Sequence, residues 1–484
     1  MVCDRDRKWY RFPFALHPRR GTVKLREVLR TFAVLGFGHV AGKLIGLVSA
    51  ALLARALGAA GLGYFATAVT LLGFVLVAAN WGTDAIGIRE VSAHPEQWDQ
   101  MNRGVRSLRM KLGGVGIVLT LLAAWIFRWD PGLVAPLLLT ALVFPYRADW
   151  LLLAMRRSRS VATAAVVREI IFLGLVAAAM TGKGSLRFVA WAYLIADLAW
   201  ALTTQWFARS LPPAVRGPDQ TGRLVREGWP MVITSSMSLT YNKVDTPMLA
   251  AMRGAATAGT YWAGYTIIFA AMGFAAILSR SALPELSRPG GEKDQSQLPA
   301  LVLAAVLAGG VAAMLLVGSA GEIMTMLYGA AYRPGAEALA ILALALPMNF
   351  ASGILLNRLV AVGRQRLLAV AAVSGATINV CLNLVLIPGL GMRGAALATL
   401  ASEATLLVVG LFGFVGLPRA RPFQLRVLST VAAALAVGVV IPRALHGSGP
   451  AMSVLLAAAF SAACIPAIQG LLLFRREIGA ARAR

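Results

Sequence analysis

The feature that most constrains this chain is a succession of apolar runs, each about 20 residues long. That is the helix length needed to cross roughly 30 Å of hydrocarbon, where only segments that satisfy their own backbone hydrogen bonds persist. Fourteen such runs occur, at residues 31–54, 62–88, 108–127, 132–155, 161–181, 186–208, 224–251, 256–284, 298–321, 334–360, 366–388, 393–416, 424–445 and 450–473. The basic residues test this map independently, because Lys and Arg flanking a span stay cytoplasmic. Alternate connections and both termini hold 34 of the 46 Lys and Arg. The intervening connections hold eight: Arg55, Arg128, Lys183, Arg187, Arg253, Arg333, Arg393 and Arg443. Adding or removing a helix would scramble the alternation. The sequence therefore predicts an all-α polytopic membrane protein of fourteen transmembrane helices with both termini cytoplasmic.

Composition agrees. Hydrophobic residues make up 58% of the chain and charged ones 14%, against about 25% charge in a soluble domain. A net charge of +25 would suggest nucleic acid for a soluble protein; here membrane lipids are the expected partner and nucleic acid is not. Cys3, Cys381 and Cys464 lie far apart, as do His17, His39, His94 and His446, so neither a disulfide framework nor a metal site is read. No HExxH or GxSxG occurs. The AGK at 41–43 fails as a phosphate loop, with Phe37 where the first glycine belongs and Leu44 where Ser or Thr belongs. No connection is long enough for a soluble catalytic domain, so neither an enzyme nor a cofactor is expected. The first 30 residues carry nine Lys or Arg but lead into no short apolar core with a cleavage site, so the first helix is expected to be retained. With Trp9, Tyr10, Phe12 and Phe14 among its cations, this arm either lies on the anionic inner leaflet or forms a disordered basic tail.

Residues 31–208 laid over 224–416 show an internal repeat offset by about 200 residues. Arg55, Gly58, Gly63 and Tyr64 recur as Arg253, Gly254, Gly259 and Tyr261. Arg157 and Arg159 fall over Arg364 and Arg366, Arg187 over Arg393, and Asp197 over Glu403. Six helices return a chain to its starting side, so two such copies share one orientation, related by an axis along the membrane normal. The expected organisation is a basic cytoplasmic arm (1–30), an N-lobe of helices 1–6 (31–209), a cytoplasmic linker (210–223), a C-lobe of helices 7–12 (224–417), helices 13–14 (418–474) and a basic cytoplasmic tail (475–484). Two lobes facing across a central cleft suit alternating access.

Several segments resemble the polysaccharide-export flippases of the multidrug/oligosaccharidyl-lipid/polysaccharide (MOP) superfamily: ARALGAAGLGYFATA from 54, GWPMVITSSMSLTYNKVDTPMLAAMRGAATAGTYWAGYTIIF from 228, LPELSR from 283, MLYGAAYRPGAEALAILALALP from 326 and INVCLNLVLIPGLGMRGAALATLASE from 378. The resemblance spans helices 1–12. It implies outward movement of undecaprenyl-diphosphate-linked sugar units across the bacterial inner membrane, with polysaccharide polymerase machinery as a possible partner. Peptidoglycan-precursor flippases and multidrug exporters are relatives and remain alternatives.

Four cations fall inside the spans: Lys43, Arg147, Arg168 and Lys243. A cation at the bilayer centre costs roughly 2.5–3.5 kcal/mol on insertion scales. Four facing lipid would cost about 12 kcal/mol, comparable with the roughly 5–15 kcal/mol stability of a whole domain. They must therefore face water or be paired. Lys43 and His39 share a face of helix 1, and Lys243 occupies the corresponding helix of the second copy, so the two lysines can converge on one diphosphate. Arg147 and Arg168 would enlarge that field. The competing expectation is structural ion pairing with Asp149, Glu169, Asp197, Asp245 and Glu403. Helix neighbours at i+1 or i+2 point apart, so Arg168 with Glu169, and Lys243 with Asp245, would need partners on other helices. Pro247 should bend helix 7 beside Asp245, giving a hinge or a cation site. Asp197 and Glu403 are candidates for ion coupling or for pairing within their lobes, and Trp81, Trp150 and Trp229 for interface anchors. A drug exporter would want acids rather than bases in its cleft, and a membrane glycosyltransferase would need a catalytic acid beside a long outer loop.

The map makes a direct prediction. Single cysteines replacing Arg55, Arg253 or Arg443 should react with an impermeant thiol reagent from outside the cell, and those replacing Arg106 or Arg364 should not. A reversed pattern at any of these positions breaks the fourteen-span assignment.

Overall fold

In a computed structural model the described residues are 25–464, apart from 127–129, 182–184, 216, 219, 287–297, 414–419 and 446–448. Most of the basic arm (1–24) and the tail (475–484) lie outside them. All regular structure among the described residues is helical. The N-lobe comprises α1 (Leu25–Asn80), α2 (Thr83–Ala93), α3 (Trp98–Ile126), α4 (Pro131–Val143), α5 (Asp149–Ala154), α6 (Ser158–Thr181) and α7 (Leu186–Ala208). The C-lobe comprises α8 (Thr221–Lys243), α9 (Asp245–Arg253), α10 (Ala255–Leu286), α11 (Leu298–Gly318), α12 (Ala320–Tyr328), α13 (Ala336–Ala343), α14 (Leu346–Ala361), α15 (Gln365–Leu390) and α16 (Met392–Phe412). Two more, α17 (Ala420–Leu445) and α18 (Pro450–Ala463), follow.

Each of the fourteen apolar runs contains helix. Among the described residues, eight segments are long and apolar enough to cross a membrane, and a pair bent by 42° around residues 344–345 makes a ninth. Large apolar side chains stay exposed, with Trp125 at 79%, Val385 at 72% and Phe412 at 65%. Water would punish such a surface; lipid tails match it.

The helices break where backbone chemistry dictates. Gly58 (φ 65°, ψ 177°) divides α1 into two arms. Pro247 and Pro347 each lie four residues beyond the end of a helix, at Lys243 and Ala343, because a proline ring clashes with the carbonyl at i−4 and supplies no N–H to it. Helix 7 is thus two pieces, α8 and α9, meeting beside Asp245. The fourth run is also discontinuous, so Arg147, expected within a helix, occupies an extended link (φ −71°, ψ 123°) before α5.

The connection after the second apolar run differs from expectation. The run at 62–88 stops at Asn80, where Trp81 (φ 45°) and Gly82 (φ 69°) adopt left-handed backbone. Amphipathic α2 then buries Thr83, Ile86, Gly87 and Val91. Helix α3 begins ten residues earlier than the apolar run, carrying Arg103, Arg106 and Arg109 within it. Arg109, counted above as a loop cation, is 1% exposed; it donates to Thr83 Oγ1 (2.9 Å) and Asn80 Oδ1 (2.7 Å), pairs with Asp84 and lies over Phe144. Trp150, expected as an interface anchor, is buried against Gly87 in the same cluster as Ile86, Val105 and Leu224. On the opposite side, Asp130 caps α4 through the Gly132 N–H and pairs with Arg187 (3.0 Å), whose guanidinium holds the Asp130 carboxyl below its ordinary value.

The lobes meet at two levels. At the Gly58 end, a Cβ on Gly63 would overlap the Ala255 carbonyl, and one on Gly259 would overlap the Ala59 carbonyl. These are equivalent positions of the repeat contacting each other reciprocally, as at a two-fold interface. Arg55 fastens this level by donating to Met326 O (2.6 Å) and Leu327 O (3.0 Å), and Tyr332 donates to Ala54 O (2.9 Å). At the Trp81 end, Trp81 Nε1 donates to Val225 O (3.0 Å), and a Cβ on Gly228 would strike the Trp81 carbonyl. Four charges close a ring there: Arg89 reaches Glu90 (2.9 Å) and Glu227 (2.6 Å), and Arg223 reaches the same two acids (2.9 and 2.7 Å).

Because backbone lies on both sides of the Gly63–Gly259 crossing, it cannot yield as a flexible side chain would. Gly259→Ala should cost about 1–3 kcal/mol, as overpacking does, lowering the unfolding midpoint of the purified protein. Gly114→Ala, with open space around the new methyl, should leave that midpoint unchanged or raised.

Candidate functional site at the seam between the lobes

The intramembrane cations fall into two environments. Arg147 and Arg168 are engaged inside the N-lobe. Arg168 donates to Asp197 Oδ1 (2.8 Å) and Glu169 Oε1 (2.6 Å) and lies over Tyr193, with its centre 5.1 Å from the ring centroid. Arg147 approaches Asp149 (3.6 Å) and Asp197 (3.9 Å) and stacks on Trp200 at 3.5 Å. Asp197 is thus bracketed by two guanidinium groups, with its side chain 3% exposed. The adjacent Arg168 and Glu169 do pair, contrary to the helix-neighbour rule, because arginine is long enough to fold back along its own helix. Burying two cations among acids and aromatic faces offsets much of the desolvation cost that an isolated charge would incur.

Lys43 and Lys243 differ. Lys43 extends along α10, its Cγ 3.3 Å from where a Cβ on Gly273 would stand. Lys243 places Nζ 3.8 Å from the centroid of Phe269, one turn earlier on α10. The two lysines thus come from different lobes and both lie against α10. Among the described residues neither forms an ion pair. Gly273 provides the room, since a larger residue would push the Lys43 stem away. The His39 side chain lies outside the described residues.

The C-lobe acids are held by neutral groups. Asp245 Oδ2 accepts from the Tyr261 hydroxyl (2.5 Å) and the Thr399 hydroxyl (3.4 Å), and Oδ1 accepts from the Thr246 N–H (2.9 Å). Glu403 Oε1 accepts from Asn349 Nδ2 (3.1 Å). Its Oε2 is buried without a hydrogen-bond partner among the described residues, as are Asn379 Nδ2 and Asn383 Oδ1. Asn379 and Asn383 bond to each other (2.9 Å) on α15. Sequence reading missed both asparagines as polar groups of the lobe interior, although their i, i+4 spacing inside an apolar run was a usable signal. The repeat has diverged here: Asp197 has two cationic partners and its counterpart Glu403 has an amide.

The fold is a two-lobed bundle of membrane-spanning helices. The chain belongs to the polysaccharide biosynthesis protein family, which matches residues 28–289, and thereby to the polysaccharide-export branch of the MOP superfamily. It is 28% identical over 287 residues, 57% of the chain, to the EPS I polysaccharide export inner membrane protein EpsE of Ralstonia solanacearum. That match spans 65% of the relative's length. In fold it resembles the lipid II flippase MurJ in its inward closed conformation, at TM-score 0.71 and 13% identity, covering 94% of this chain and all of the other. It also resembles an inward-facing multidrug resistance MATE transporter, at TM-score 0.62 and 17% identity, over 79% and 95% of the two chains.

The contrast between the two kinds of cation is measurable. Asp197→Asn removes the acid shared by Arg147 and Arg168 and should destabilise the N-lobe by about 3–5 kcal/mol, as breaking a buried ion pair does. The expected readout is lowered abundance in the membrane and a lowered unfolding midpoint. Lys43→Gln strands no carboxylate and should leave both unchanged.

Proposed function

We propose that this protein is an alternating-access flippase that moves an undecaprenyl-diphosphate-linked oligosaccharide outward across the bacterial inner membrane for surface polysaccharide biosynthesis. The observation that carries this reading is the placement of two lysines from different lobes against neighbouring turns of α10, Lys43 at Gly273 and Lys243 at Phe269, without ion-pair partners among the described residues. A diphosphate of about two negative charges matches two compact ammonium donors. A cationic drug would be repelled by them, which disfavours a multidrug exporter. Arg147 and Arg168 are engaged by Asp149, Glu169 and Asp197 inside the N-lobe, so the charge offered to the diphosphate is that of the two lysines.

Membership of the polysaccharide biosynthesis family and similarity to a polysaccharide export protein of an inner membrane support the substrate class. Polysaccharide polymerase machinery is then a fitting partner. Moving two negative charges out of a negative interior is downhill by roughly 4.6 kcal/mol per 100 mV, so the membrane potential alone favours export. Where ion coupling adds to it, the C-lobe acids Asp245 and Glu403 are suited to take up a proton or a small cation, and the break at Pro247 lets α9 hinge on α8.

Lys43→Gln and Lys243→Gln should each abolish complementation of surface-polysaccharide export at normal membrane abundance, because the residues face the seam rather than support packing. Lys→Arg should retain part of it, since the charge is kept while its shape changes. Normal export by both Gln variants at normal abundance would overturn the reading.

A further inference from the structure

A cavity of about 390 Å³ lies between the lobes, walled by Thr67, Leu71 and Val75 of the second arm of α1, Leu137 of α4, and Pro247 and Ala251 of α9. Its volume falls within the roughly 300–1,000 Å³ typical of small-molecule pockets, and its lining is almost wholly aliphatic.

The C-lobe wall ties this cavity to the lysines. Lys243, Pro247, Ala250 and Ala251 stand at i, i+4, i+7 and i+8, which places them on one face of a helical path, and the backbone at Val244 between the two helices keeps α geometry. Four residues are about 6 Å of rise. The backbone of Lys243 therefore stands one turn from the start of an apolar slot, with its ammonium over Phe269 of α10. A ligand that fits both has a multiply charged head and a hydrocarbon chain leaving it at once.

We infer that this cavity holds the first part of the isoprenoid chain of the lipid whose diphosphate lies on Lys43 and Lys243, so that head and chain are gripped by the same seam. The inference rests on the reading of the lysines given above. It commits to a diphosphate lipid rather than a phospholipid because two adjacent cations match two charges, whereas a phosphodiester headgroup carries one. Chain retention at the seam keeps the lipid in register while the sugar moves between the lobes, and the inter-lobe position of the cavity ties chain binding to lobe movement.

Photolabelling of the full-length protein in nanodiscs tests this, using an undecaprenyl diphosphate analogue with a diazirine in the head-proximal isoprene units. Adducts should concentrate in residues 64–75 and 247–251. They should be lost from these segments in Ala251→Phe and in Ala68→Phe, which fill the cavity from opposite walls, with membrane abundance recorded for each. Adducts concentrated elsewhere in the wild type, or persisting in both filled variants, overturn the chain site. So does equal labelling of these segments by a diazirine phosphatidylglycerol, which would make the cavity an ordinary lipid contact. Lys43→Gln and Lys243→Gln should lower the adduct yield in these segments severalfold. Unchanged yield in both overturns the head-group reading, and with it the link between head and chain, separately from the position of the cavity itself.

Discussion

The structure depends on one constraint: a charge placed in a span must find a partner or water, because lipid offers neither. The N-lobe meets it by enclosure. Asp197, Glu169, Arg147 and Arg168 satisfy one another between α6, α7 and the link before α5, with Trp200 and Tyr193 laid against the guanidinium planes. The seam meets it by another route. Lys43 and Lys243 come from different lobes onto α10, the stem of the first beside Gly273 and the ammonium of the second over Phe269.

The same duplication serves packing and asymmetry. Where the copies touch, at Gly63 and Gly259, equivalence is kept because each glycine makes room for the other copy's backbone carbonyl. Away from that axis the copies have drifted. Arg55 crosses to carbonyls of α12 in the other lobe, whereas its counterpart Arg253 donates to Ile387 and Pro388 of its own lobe. Asp197 is neutralised by cations, and Glu403 is held by Asn349 with one oxygen unpaired among the described residues. The two halves therefore hold their buried acids differently, the first with guanidinium groups and the second with neutral donors.

Contacts at the Trp81 end add a second closure. The ring of Arg89, Glu90, Arg223 and Glu227 joins the end of the first helix pair to the start of the second lobe. Its side chains are between 21% and 38% exposed, so water screens each pair and the ring can exchange partners at modest cost. Polar latches of this kind, unlike a fused apolar core, let two lobes part. The Gly63–Gly259 crossing is a tighter closure, because it is backbone against backbone.

The sequence by itself determined the helices, their lipid setting and the duplication, because each rests on one-dimensional signals: run length, the alternation of Lys and Arg, and matched residues such as Arg55 with Arg253. It singled out Lys43, Lys243, Arg147 and Arg168 for the same reason, since a charge within an apolar run is visible without coordinates. It misread Arg109 and Trp150, which sit where α2 and α3 fold back on the bundle, because amphipathic helices joined by left-handed Trp81 and Gly82 read as a basic loop. Only the tertiary structure decided which cations are paired and which are not. That choice turns on side chains brought together from helices far apart in sequence, as Lys43 is to Gly273, and no local periodicity encodes which faces of two helices will meet.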